Sequence, residues 1–145
     1  AFPEHPQHIS LAHCVFLRIR QTVLRHARLF VVLEGLTVLL ESSGYEVIQA
    51  NGGVRGIQLA LDCRPKVVLC NFNMPDLDGL AVLHAMKENP DTKHIPFIFI
   101  SSDDPDSVRK RCTIYEADAV IHKSDAGNKV VSLVAQYLNG HATLT

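Results

Sequence analysis

The run Val67-Val68-Leu69-Cys70-Asn71-Phe72-Asn73-Met74-Pro75-Asp76-Leu77-Asp78-Gly79 constrains the fold more than any other stretch. Its first four residues are apolar and open on two β-branched valines, in the manner of a strand buried on both faces. Asn71 then forms a polar tip. Met74-Pro75 and Asp78-Gly79 mark a loop, and a helical pattern begins at Leu80. Open α/β sheets place their chemistry at such a junction, outside the carboxyl ends of the strands.

The rest of the chain alternates in the same way. Residues 1 to about 18 have mixed character, with Ile9, Leu11, Val15, Phe16 and Leu17 giving enough apolar surface to pack. Thr22-Val23-Leu24 is a weak candidate for a first strand. Leu29 to Ser43 has Leu29, Val32, Leu33, Leu36, Leu39 and Leu40 at helical spacing, and Ser43-Gly44 offers a left-handed stop. A second strand follows at Tyr45 to Ala50, a turn at Asn51-Gly52-Gly53, and a helix over Val54 to Cys63 that Pro65 ends. Leu80 to Asn89 reads as a helix, Ile95 to Ile100 as a fourth strand with proline at its entry, and Ser107 to Tyr115 as the next helix. Ala119-Val120-Ile121 is a short fifth strand, and Lys129 to Leu138 carries the last helix, stopped by Asn139-Gly140. Five β-α units of this size argue for a doubly wound parallel sheet with helices on both faces.

Composition excludes several classes of function. The 145 residues suit one domain with a real core, set out as an N-terminal extension (1–18), the domain (19–140) and a tail (141–145). No apolar run approaches the ~18 residues that a membrane span needs. The net charge of −1 gives no overall attraction for nucleic acid or an anionic membrane. The start lacks the charged-then-apolar order of a signal peptide and an initiator Met, as a fragment of a larger protein would. Cys14, Cys63, Cys70 and Cys112 form no C-x-x-C pair, and reduced thiols in a cytoplasmic protein are expected. His5, His8 and His13 cluster without the spacing of a helical metal pair or a partner carboxylate.

An apolar strand ending in a polar residue, then Met74-Pro75 and Asp78-Gly79, resembles the receiver domain of bacterial response regulators. Gly44-Tyr45-Glu46-Val47, Ala50-Asn51-Gly52, Ile95-Pro96, Ser101-Ser102, Ala117-Asp118 and Lys123 follow the family's order and spacing over about residues 20 to 139. The resemblance implies a flavodoxin-like, three-layered α/β fold with a five-stranded parallel sheet in the order 2-1-3-4-5.

It also implies a phosphotransfer site. In the family, two carboxylates after the first strand, an acceptor aspartate and a backbone carbonyl two residues further on hold Mg²⁺. A Ser or Thr after the fourth strand and a Lys after the fifth hold the phosphoryl oxygens. The matching Ser101 and Lys123 are present, and Asn73 could supply the carbonyl. The acceptor position, however, is Asn71, an amide that cannot form an acyl phosphate. Counting back from Gly44 puts Ala27 and Arg28 where the acidic pair belongs, and register shifts give Arg25 or His26. Only a first strand at Phe30-Val31-Val32 would bring in an acid, Glu34, and that leaves one carboxylate where the family has three. A pocket of Lys123 with Arg28 or His26 repels Mg²⁺, so no cofactor is expected.

Two further departures concern switching. The family's inward-swinging aromatic on the fifth strand is matched by Val120, which is too short for that motion. Its Lys is commonly followed by a cis proline, here Ser124; a non-proline cis bond costs about 3 kcal/mol, so a trans bond is expected. Asp76, Asp78, Asp103 and Asp104 are read as loop and capping acids.

The expectation is a non-enzymatic pseudo-receiver, acting by protein–protein contact with other signalling proteins, a neighbouring domain or a second copy. The face expected for contact includes Val108, Arg109, Cys112, Tyr115, Val120, Val130 and Val134. The competing readings are an atypical phosphorylatable receiver and an anion or small-ligand sensor built on Lys123 and Ser101.

Overall fold

The computed structural model describes residues 14–19, 27–28, 34–50, 52–73 and 77–143. In chain order the elements are β1 (Cys14–Ile19), β2 (Ala27–Arg28), α1 (Glu34–Ser42), β3 (Tyr45–Ala50), α2 (Gly53–Cys63) and β4 (Val67–Asn71). They continue with α3 (Gly79–Glu88), β5 (Phe97–Ser101), α4 (Pro105–Arg111), β6 (Ala119–His122), a 3₁₀ turn (Lys123–Asp125) and α5 (Ala126–Thr143).

The sheet has six strands in the order β2-β3-β1-β4-β5-β6, with β2 also pairing β1. Tyr45–Ala50, Val67–Asn71, Phe97–Ser101 and Ala119–His122 take the places expected of the second to fifth strands, and the α/β class stands. The occupant of the remaining place is different. It is β1, which runs antiparallel to both neighbours, with Cys14 facing Ala50 and Cys70, and Leu17 facing Val47 and Val67. Among the described residues the sheet keeps the expected order 2-1-3-4-5 as β3-β1-β4-β5-β6, with β1 antiparallel and β2 as a sixth strand, and residues 14–18 lie inside it, across the boundary drawn at 18/19. The candidate strand Thr22-Val23-Leu24 lies outside the described residues. A slot covered on both faces favours the longer apolar run of Cys14–Ile19, whereas strand direction leaves no mark on composition.

The core follows from the apolar runs. Val67, Val68, Leu69 and Cys70 of β4 and Phe97, Ile98 and Phe99 of β5 are fully buried. Phe99 stands edge-to-face with Phe72 and with Phe97, centroids 5.1 and 5.0 Å apart. α1 packs with α5 and α2 with α3, giving three layers.

Helix ends show where local signals won or lost. Gly44 stops α1 at φ +96°, its N–H donating to the Glu41 carbonyl, as Ser43-Gly44 implied. α2 ends on Arg64 in the left-handed region at φ 47°. α4 stops at Arg111, short of Tyr115, where Thr113, Ile114 and Tyr115 offer poor helix propensity. α5 runs through Asn139-Gly140 to Thr143 instead of stopping there.

Candidate functional site

At the carboxyl edge of the sheet the parallel strands end on Ala50, Asn71, Ser101 and His122. Asn71 is half-buried at the tip of β4. The loop after it is closed by the Gly79 N–H, which donates to the Phe72 carbonyl at 2.9 Å. Gly79 is required there: a Cβ would sit 2.6 Å from Phe99 Cε1 and 2.9 Å from the carbonyl oxygens of Asn71 and Phe72. Asn73 is exposed.

Ser101 is fully buried, and its hydroxyl accepts the Asp103 N–H at 2.9 Å, so it serves its own loop. Lys123 is exposed, and among the described residues nothing bonds it to Asn71. The Lys123–Ser124 peptide is trans. Asp78 caps α3 through the Ala81 N–H at 2.9 Å, and Asp104 caps α4 through the Ser107 N–H at 3.2 Å. Asp103 lies 4.0 Å from Arg111, whose guanidinium also sits 4.7 Å above the Phe72 ring. Arg111 thus places a cation beside the residue that follows Asn71. Asp76, Arg25, His26 and the N-terminal histidines lie outside the described residues.

Ala27 and Arg28 are not at this edge. They pair with Tyr45 and Glu46, at the start of β3, while the site lies level with its end at Ala50. Five residues of strand, about 17 Å, separate the two levels. The ungapped count from Gly44 fails because the slot beside β4 is filled by β1, which displaces Ala27–Arg28 to the far end. Glu34 is the first residue of α1.

The expected contact face also needs correction. Val108, Val130 and Val134 are fully buried core residues, while Val120, nearly buried, lines the groove between α4 and α5. Arg109 is exposed and pairs with Asp106, and Tyr115 packs its ring on His84 at 5.3 Å. Cys112 is half-buried, its thiol donating to the Val108 carbonyl at 3.4 Å; burial pushes that thiol up from its ordinary pKa. The surface between α4 and α5 is instead an open groove of about 310 Å³ over β6, lined by Pro105, Ala119, His122, Asp125, Lys129 and Leu133. Helical spacing showed which residues share a face but pointed to the face turned inward.

A family model of the response regulator receiver domain matches residues 30–135. The chain belongs to that family. Its receiver domain is similar to the polar-differentiation response regulator DivK of Brucella anthropi, 28% identical over 100 residues that cover 69% of this chain and 81% of that one. It is also similar to the signal receiver domain of a histidine kinase from Syntrophus aciditrophicus, at 31% identity and TM-score 0.64, covering 74% of this chain and 81% of that one. A receiver domain from Clostridium thermocellum shares the fold at 21% identity and TM-score 0.68, covering 79% and 90% of the two chains.

Receivers hold Mg²⁺ on carboxylates at this edge. Among the described residues the donors here are an amide at Asn71, a hydroxyl at Ser101 already accepting a bond, and the exposed Asn73. Asp78, Asp103 and Asp104 are engaged in caps or an ion pair. This set does not fit a hard dication that demands several oxygen ligands of charge. Among the described residues no helix is long and apolar enough to cross a membrane.

Proposed function

We propose that this receiver domain works as a signalling module that is not switched by aspartyl phosphorylation. The observation that carries the reading is that, among the described residues, the parallel strands of the site edge end on Ala50, Asn71, Ser101 and His122, none of them a carboxylate. An amide at Asn71 is a poor nucleophile, and being neutral it supplies none of the charge that the acceptor carboxylate would offer Mg²⁺. The output would then be protein–protein contact through the groove over β6. Its rim combines the polar Asp125 and Lys129 with the apolar Pro105 and Leu133.

The test is intact mass after incubation with acetyl phosphate and Mg²⁺. The expected result is no phosphoryl adduct, for the protein as it stands and for Asn71→Asp, since restoring the acceptor alone does not restore the acidic pair. A labile single adduct on the unaltered chain would overturn the reading. An adduct on Asn71→Asp only would show that the rest of the phosphotransfer site is intact and that the amide alone silences it.

A further inference from the structure

At the amino edge of the sheet, the loops that enter β4 and β5 meet the end of α5 around a cavity of about 440 Å³. Its floor is apolar and rigid. Pro65, Ile95 and Pro96 are buried there, and the two pyrrolidine rings have no rotamer freedom to lose when a ligand covers them. Tyr137 and Leu138 of α5, both half-buried, form a wall. The Tyr137 hydroxyl donates to the Asp118 carbonyl at 2.8 Å, which holds the phenol ring in place.

The rim is basic. Lys66 and His94 stand on it, both exposed, and no acid lines the cavity among the described residues. Neither side chain makes an ion pair or a hydrogen bond among the described residues. On the same edge Asp91 lies 3.4 Å from Arg64, and Asp118 lies 3.6 Å from Lys87, so those two carboxylates are engaged elsewhere. The Lys66 ammonium and the His94 ring can both donate to an oxyanion.

We propose that this cavity binds a small, flat, apolar carboxylate. An inorganic anion would meet the rim and leave the floor wet. An uncharged hydrocarbon would cover the floor and leave Lys66 to water. A ring system with one carboxylate uses both, its ring against Pro65, Pro96 and Tyr137 and its charge at Lys66 and His94. The volume exceeds the roughly 300 Å³ at which small-molecule sites begin. Lys66 precedes β4 and Asn71 ends it, about 17 Å of strand away. The cavity shares no residue with the groove over β6, and the proposal is independent of what Asn71 does.

The experiment is a titration of ¹⁵N-labelled protein with naphthylacetate, with naphthylacetamide and with sodium sulfate, followed by the backbone amide shifts. The expected result is saturable shifts at Lys66, Ile95, Tyr137 and Leu138 with the carboxylate, at a dissociation constant of about 1 mM or tighter. The neutral amide should bind about fivefold more weakly, and sulfate should not saturate in the same range. Lys66→Gln changes an exposed side chain; it should weaken the carboxylate about fivefold and leave the amide unchanged. Equal affinity for acid and amide would overturn the proposal, because the basic rim would then play no part. So would sulfate that matches the carboxylate, Lys66→Gln that binds it as well as the unaltered protein, or no saturable shift at these residues up to about 5 mM.

Discussion

The two edges of the sheet are held in different ways. At the amino edge, Asp118 joins three elements. Its Oδ2 accepts the Phe97 N–H at 2.7 Å and lies 3.6 Å from Lys87 Nζ; its carbonyl accepts the Tyr137 hydroxyl at 2.8 Å, and its own N–H donates to the Phe97 carbonyl at 2.8 Å. At the carboxyl edge, among the described residues, the side chains at the strand ends bond to loops: Ser101 to Asp103, His122 to Ser102 and Ser124. The scaffold is thus secured at the end away from the site. Side-chain chemistry at the site edge can vary without withdrawing a bond that the fold depends on.

The backbone of the site edge is the exception, and Gly79→Ala breaks it. The new Cβ would meet two carbonyl oxygens and an aromatic carbon below 3.0 Å, and backbone cannot yield cheaply. The expected loss is about 3 kcal/mol in urea unfolding. A loss under about 1 kcal/mol would mean that the loop after β4 is pliant and the contrast overstated.

Asp118→Ala breaks the other edge. It leaves the buried Phe97 N–H without its acceptor and should cost about 2 kcal/mol, with Asp118→Asn recovering part because its amide oxygen still accepts. Equal stability of all three proteins would remove Asp118 from the argument.

Tyr137 gives a smaller effect with a sign. Burial, and then the charge of Asp118, raise its pKa above the ordinary 10.0. The fold therefore favours the neutral phenol, and this contribution is complete below pH 10 and lost as pH rises through the elevated value. Tyr137→Phe should be about 1 kcal/mol less stable at neutral pH and should lose stability less steeply above pH 10. Parallel alkaline profiles would contradict this.

The smallest effect sharpens the comparison, because the amino edge also stores strain. Arg64→Gly relieves a left-handed residue and gives up only an exposed pair with Asp91 at 3.4 Å. A gain of about 0.5–1 kcal/mol in thermal or urea melts is expected.

Much of this protein was legible in its sequence. The continuous runs Val67–Cys70 and Phe97–Ile100 could only be strands covered on both faces, because alternation is needed only where one face meets water. The same logic placed Asn71 and Ser101 at strand tips, and the turn and capping chemistry of Gly44, Asp78 and Asp104 is local enough to read from neighbours. What the sequence left open depends on partners far along the chain. Cys14–Ile19 has the composition of a central strand, but whether it runs parallel or antiparallel is set by pairing with residues 30 or more positions away. That pairing moved Ala27 and Arg28 out of the site. Helical periodicity grouped Val108 with Cys112 and Val130 with Val134 but could not say that the shared face is turned to the core. The link from His122 to Ser102 spans 20 residues and exists only once β5 and β6 lie side by side. Local pattern marked the strands from Tyr45 onward and put Asn71 and Ser101 at strand tips. Strand direction, which helix face is buried, and the reach of one imidazole between two loops were decided by tertiary packing, because each is a relation between segments and not a property of either.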